Sequence, residues 1–369
     1  MSLPEPSFVD RNPEQITSDL ITQFQEATGK TLYPAQYERL ICNIIAYREN
    51  LVRIAINEAC KQNLVEFAKY PMLDYLGQLV GVVRLSSKPS LTTIRFTLEG
   101  IKAFNVIIPA GFIVASNDGK FNFETIDSAI ITAGSTYIDV NCQCQTTGED
   151  SNGYLPGDIA DLVQPIQYVA TASNTTVTAS GSDEEDDDRF RSRIKEAPEK
   201  YSNAGSKGAY HFWAMSAHQN IIDVSVTTPS PGVVNVYPLM ISGNPSSEMI
   251  ALVLATLNDE KIRPLTDNVN VLAPTRVDFT ISADITLYSW ADIETVESQI
   301  QTDITLYVEN MKSKLGKDIV PSQIIAILNS IYGVYKVVLN SPSSLDELDV
   351  NEWANCTGTT FNYVGYVNG

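Results

Sequence analysis

The sequence predicts an α+β multidomain chain: a long-helix N-terminal region, a small β-sandwich or barrel-like domain, then two α+β modules like split βαβ units. Three observations predict it. From Ala35 to Lys69 the chain has neither glycine nor proline, and apolar residues recur every three or four positions. From about residue 90 to 180, short alternating runs are separated by turn signals. Beyond an acidic run at Asp183–Asp188, strand-like and helix-like patterns take turns. The boundaries expected are 1–88 for a helical self-association region and 89–181 for the β-rich domain. The two α+β domains are expected at 182–274 and 275–369, the last with a tail.

The first helix opens with Leu20, Ile21 and Phe24, and Gly29 closes it, since glycine accepts the left-handed conformation that ends helices. Pro34 is placed to start the next, because a first-turn residue needs no N–H. That helix carries Leu40, Ile44, Tyr47, Leu51 and Ile54, with Ile41, Ile45, Val52 and Ile56 as a second stripe. Running to Lys69 it would be about 50 Å long. So wide an apolar face needs more than one neighbour, and self-association through Ala35–Lys69 is expected. Pro71 breaks it, and a shorter turn follows at Met72–Gly77.

In the β-rich part Ile94, Phe96 and Leu98 alternate with polar residues. Pro109-Ala110-Gly111, Asn117-Asp118-Gly119 and Tyr154-Leu155-Pro156-Gly157 are turns. Ser182 reads as the cap of a helix whose carboxylates meet the positive end of its dipole. Glu185–Arg189 and Asp187–Arg191 would pair across one turn, Phe190 and Ile194 would share the apolar face, and Pro198 would stop it. The expected result is a solvated helix entering the next domain. A helix follows at Ser206–Gln219, strands at Ile221–Thr227 and Val233–Ile241, a helix after Asn244-Pro245 and a strand at Val269–Leu272. Last come a strand from Val277 to Leu287, a helix carrying Ile293 to Met311, another from Pro321 and a closing strand at Tyr332–Leu339.

The net charge of −19 argues against nucleic acid, whose binding needs clustered lysine and arginine. Met1 to Gln15 contains Pro4, Glu5, Pro6 and Asp10 and no apolar run, so no targeting segment is read there, and folding in a cytosol-like place is expected. No apolar stretch approaches the roughly 20 residues of a membrane helix. Five cysteines suggest no disulfide framework. Cys142 and Cys144 alternate with polar residues and read as strand core, and Cys42 and Cys60 as helix positions. Asn174 and Asn355 begin Asn-x-Thr triplets, which mean little without secretion.

The acidic run lacks the alternation and mid-loop glycine of a calcium loop. His211 and His218 stand seven apart and would share a helix face, with no third metal ligand. No nucleophile elbow, zinc-protease motif, phosphate loop or dinucleotide fingerprint is present, and Gly119-Lys120 belongs to a hairpin. No catalytic, cofactor-binding or metal residue is therefore assigned, no cofactor is expected, and the chain is read as a non-enzyme.

Several segments, taken in order, carry a family resemblance. They are Ala46-Tyr47-Arg48-Glu49-Asn50-Leu51, Leu73-Asp74-Tyr75-Leu76-Gly77 with Gly81 and Arg84-Leu85, and Ile108-Pro109-Ala110-Gly111. Asn152-Gly153-Tyr154-Leu155-Pro156-Gly157, Glu184–Ile194, Tyr201–Ser206 and Arg263-Pro264-Leu265-Thr266-Asp267 follow. Together, over residues 18 to 345, the chain resembles the baseplate J-like proteins of contractile phage tails and related contractile injection systems. The Asp183–Asp188 run is more acidic than the family pattern, and the tail after Ser343 is less familiar.

The resemblance implies a structural wedge protein assembled around a central hub, rearranging contacts when the sheath contracts. Its implied partners are itself, as a homodimer within a wedge and in ring contacts between wedges, and other baseplate wedge proteins, with neither nucleic acid nor membrane. It would reside in the host cytoplasm during assembly and then in the tail baseplate of the virion. The alternatives are a component of a bacterial contractile injection particle, or a tail-associated carbohydrate-binding or hydrolytic protein.

Overall fold

The computed structural model describes residues 4–201 and 205–368; Met1 to Leu3, and Ser202, Asn203 and Ala204 of the Tyr201–Ser206 segment, lie outside the described residues. The chain forms two compact units, one of residues 1–84 and 186–197, the other of 85–185 and 198–369.

The first unit is helical. Helix α1 (Pro13–Thr28) is capped by Asn12, whose side chain accepts the Glu14 and Gln15 N–H groups, and it ends at Gly29 with φ 67°. Helix α2 covers Tyr37–Lys61, not Ala35–Lys69. At 1.5 Å per residue it is about 37 Å long. Pro34 falls in the preceding turn, and Gln36 is the N-cap residue. The helix stops without a breaker because side-chain amides take over its C-terminal carbonyls. Asn63 Nδ2 donates to the Ala59 and Cys60 oxygens, and Gln62 Oε1 accepts the Lys69 N–H at 2.9 Å. Helix α3 (Met72–Leu79) follows.

Helix α4 (Asp187–Glu196) completes this unit, and it corrects the reading of the acidic run. Its cap is Asp186, which accepts the Asp188 and Arg189 N–H groups at 2.8 and 2.9 Å. Ser182 is buried five residues before the helix, its backbone bridged to Lys88. Asp187 pairs with Arg84 at 2.7 Å, and Arg191 pairs with Asp188. Glu185 lies outside the helix, its carboxylate accepting the Leu85 N–H at 3.1 Å. The helix is also packed, not solvated: Phe190 and Ile194 are buried against Gly77 of α3. A Cβ at Gly77 would stand 2.6 Å from the Phe190 ring, so only glycine admits this approach.

The second unit begins with the β-rich part. Its strands are β1 (Pro89–Leu98), β2 (Val106–Ile108), β3 (Ile113–Ser116) and β4 (Asn122–Thr125), then β5 (Ala129–Ile131), β6 (Tyr137–Thr147), β7 (Ile159–Leu162) and β8 (Val169–Asn174). Six form one sheet in the order β7-β3-β4-β6-β1-β8, while β2 and β5 pair separately. The sheet curls until β7 and β8 lie side by side, so of the two expectations the nearly closed barrel holds. Ile94, Phe96, Val114, Phe123, Cys142 and Ile159 fill it.

Asn174 closes the seam. Its Oδ1 accepts the Gly157 and Ile159 N–H groups, and its Nδ2 donates to the Leu155 and Thr176 oxygens, at 2.9–3.0 Å. Asn174→Ala removes all four bonds and leaves the buried Ile159 N–H unpaired, and should destabilise the barrel by about 1–3 kcal/mol. Urea unfolding followed by circular dichroism would read this as a lower midpoint.

Two α+β modules complete the unit. In the first, α5 (Lys207–Ala217) and α6 (Ser247–Leu257) pack on a three-stranded sheet of β9 (Ile221–Ser230), β10 (Val233–Met240) and β11 (Asn268–Val271). β9 and β10 make a hairpin at Pro231-Gly232, and β11 runs parallel to β10 after α6.

The second module centres on β12 (Thr275–Tyr288). Ile281, Ala283, Ile285 and Leu287 face α7 (Ile293–Lys312) and α8 (Pro321–Ser330), which bury Val296, Ile300, Ile304, Ile324 and Leu328 against them. Strand β13 (Val334–Ser341) flanks β12 antiparallel. The stretch after Ser343, expected as a tail, contains β14 (Glu352–Val367), which runs parallel to the whole of β12. The modules are joined where Asn244 accepts the Trp353 indole N–H and Asp223 accepts the Leu315 N–H, both at 2.8 Å.

Candidate assembly surface

The site that stands out is the outward half of α2. Tyr37, Leu40, Ile41, Ile44, Ile45, Tyr47, Leu51, Val52 and Ile56 are all exposed, Ile44 and Tyr47 at 63%. At 100° per residue they occupy about half of the helix circumference. The opposite face is buried at Cys42, Ala46, Asn57 and Lys61, and Ile54 is half-buried beside it. Nine large apolar side chains on one stripe far exceed the scattered apolar residues of an ordinary surface.

The inner face explains why the outer one points outward. Asn57 is 2% exposed and holds the N-terminal arm, accepting the Phe8 and Val9 N–H groups and donating to the Val9 oxygen at 2.8 Å. Lys61 pairs with Glu5 and Glu58. Arg53 bonds Glu49 and the Asp10 oxygen, each at 2.9 Å. Asn57, Lys61 and Arg53 thus serve the helix's own unit, and the nine large apolar residues of the opposite half are left to solvent.

Charge fixes the rest of the unit. Arg84 donates to Asp74 and Asp187 at 2.8 and 2.7 Å and lies 4.8 Å over the Phe190 ring. Burial works against the charge on Asp187, but Arg84 and the Tyr70 N–H outweigh it and hold its carboxyl below the usual range. Arg191 donates to the Val65 and Ala68 oxygens, both at 2.8 Å, tying α4 to the chain beyond α2.

The histidines do not share a helix face. His211 is in α5, its Nε2 3.8 Å from Asp223, whereas His218 is the residue past the helix, buried, with Nδ1 accepting the Asn220 N–H. Burial raises the Asp223 carboxyl, and His211 with the Leu315 and Val224 N–H groups more than reverses this. Among the described residues no cluster of three histidine, cysteine or acidic side chains is placed to hold a metal. Cys142 and Cys144 are buried in β6, and burial pushes the Cys142 thiol up to about 12. Among the described residues no helix is long and apolar enough to cross a membrane.

Periodicity pointed to the α2 stripes. It did not reveal Asn57 or Lys61 as the residues that anchor the opposite face, since each works through the N-terminal arm, some fifty residues away.

Family profiles match four successive parts. They are the Baseplate J-like N-terminal domain over 40–90, the Baseplate J-like protein barrel domain over 93–181, the Baseplate J-like central domain over 202–273 and the Baseplate J-like protein C-terminal domain over 279–362. Baseplate protein J of Escherichia phage P2 is 32% identical over 191 residues, an alignment covering 51% of this chain and 63% of that protein. A chain in the cryo-EM structure of the anti-feeding prophage baseplate, 6-fold symmetrised, aligns over 93% of this chain and 90% of its own, with a TM-score of 0.46 and 14% identity. With the four matches in order along its length, the chain belongs to the baseplate J-like family.

Proposed function

We propose that this chain is a structural subunit of a contractile-tail baseplate and acts by holding other subunits, without bond chemistry. The observation that carries the reading is the apolar half of α2, nine large exposed side chains on one continuous helix face. Interfaces of permanent assemblies resemble a protein core cut in half, and this face has that character. Family membership and the phage P2 relative, itself named a baseplate protein, support the same reading.

In finer terms, the chain is a wedge protein. It pairs with a second copy through α2 inside a wedge, holds other wedge proteins, and meets its counterparts in neighbouring wedges to close a ring around the hub. The segments 1–88, 89–181, 182–274 and 275–369 act as its working parts, with α4 of the third serving the first. It is synthesised in the host cytoplasm and ends in the virion baseplate. Contraction rearranges contacts between such parts.

An electron-microscopy map of the intact particle tests this. The expected result is paired copies in a ring between hub and fibres, with α2 buried in each pair. Density for this chain outside the baseplate, or α2 facing solvent there, would overturn the reading.

A further inference from the structure

Strand β14 is a sheet edge with one side open. Among the described residues it pairs with β12 alone, so from Asn355 to Tyr366 alternate backbone N–H and C=O groups face away from the sheet. Proteins ordinarily blunt such an edge with lysine, proline or an inward charge. Beyond Glu352, β14 has none of these. Between its bulges the pairing from Gly358 to Tyr363 is uninterrupted, which leaves a straight run as template.

A groove lies beside that edge. Phe361 and Tyr363 line its β14 side, and Glu294, Glu297 and Gln301 of α7 its other. A second hollow continues along α7 past the 60% exposed Leu306 to Glu309. Neither stretch is lined by a basic residue. Burial and the Glu297 charge both push the Tyr363 phenol up, consistent with that carboxylate standing near the aromatic side.

We propose that an extended segment of another protein, alternating apolar and basic side chains, adds as a strand to the open edge of β14 and lies along α7. The open backbone supplies hydrogen bonds, Phe361 and Tyr363 take the apolar side chains, and Glu294, Glu297 and Glu309 take the basic ones. The surface is separate from α2 and does not depend on the self-pairing proposed for it.

The test uses the full chain and labelled peptides of about ten residues, long enough for one strand. One peptide alternates valine and lysine, a second valine and glutamate, and a third is the basic peptide N-methylated at alternate residues. Only the first should bind by fluorescence anisotropy, less tightly as salt rises, and it should slow amide exchange within 355–366. Glu294→Lys combined with Glu297→Lys, at exposed helix positions, should weaken it about tenfold or more with circular dichroism unchanged. Equal binding of acidic and basic peptides, undiminished binding of the methylated one, or protection elsewhere would overturn the proposal. So would protection of 355–366 that rises with protein concentration without peptide, because a second copy would then be the occupant.

Discussion

Ile44→Asp combined with Leu51→Asp should leave the chain folded and prevent its self-association. Both side chains are exposed, at 63% and 42%, so aspartate there breaks no internal packing. In the pair of chains proposed above the same positions would lie in a dry interface. Each covered side chain contributes about 1.5–3 kcal/mol. A pair of identical chains carries each position twice, and these partly covered side chains together lose about 4 kcal/mol, which weakens a dimer about a thousandfold before the cost of burying new charge is added. Sedimentation velocity over a concentration series reads the association, and urea unfolding reads the fold. Ala46→Asp supplies the contrast: Ala46 is 3% exposed on the inner face, so there aspartate should unfold the unit. A doubly substituted chain that is folded and still associates would remove α2 from the interface.

Arg84→Ala should strongly destabilise the helical unit. The Arg84 side chain is 9% exposed and serves two carboxylates, Asp74 and Asp187. Removing one partner of a buried ionic group while the other stays costs about 3–5 kcal/mol. Arg84→Lys should not restore the loss, since one ammonium cannot reproduce the planar fork that reaches Asp74 through both Nε and Nη2. The effect should also depend on pH. Asp187 titrates below the ordinary carboxylate range in the folded chain. Its stabilisation is therefore full above that range and lost as pH falls from about 4 through the lower folded value. Urea unfolding between pH 7 and pH 3 should show this acid loss in the natural chain and a reduced loss in Arg84→Ala. Equal stability of the two chains at pH 7 would refute the assigned role.

Local pattern carried much of the architecture. Gly29 ended α1, Ile94, Phe96 and Leu98 faced the barrel core, and Ile281 to Leu287 faced the helices, because alternation and capping are decided by near neighbours. The misses share one cause. The apolar rhythm runs through Leu64 and Phe67, so the pattern does not mark Lys61 as the helix end; there Asn63 takes the Ala59 and Cys60 carbonyls, and Arg191, remote in sequence, takes those of Val65 and Ala68. Strand β14 escaped notice because bulges at Thr357 and Val364 break its period of two. The residues in register with Phe279, Ile281, Ala283, Ile285 and Leu287 of β12 are Cys356, Thr359, Phe361, Tyr363 and Tyr366, which step by two and by three. Asp186 is the cap and not Ser182 because the bridge to Lys88 holds Ser182 in extended pairing, five residues before the helix starts. The apolar stripes of α2 were visible from spacing alone, but their exposure was not, since burial depends on what packs against them.

Because α4 belongs with α1–α3 yet follows the whole barrel in sequence, the helical unit is not a contiguous cassette. A fragment cut after Arg84 would leave the Gly77 cleft without Phe190 and Arg84 without Asp187. On the ribosome, likewise, the barrel emerges before the piece that locks the helices. Helix α3 and the segment after α2 therefore gain their α4 partner only after some hundred further residues have been made.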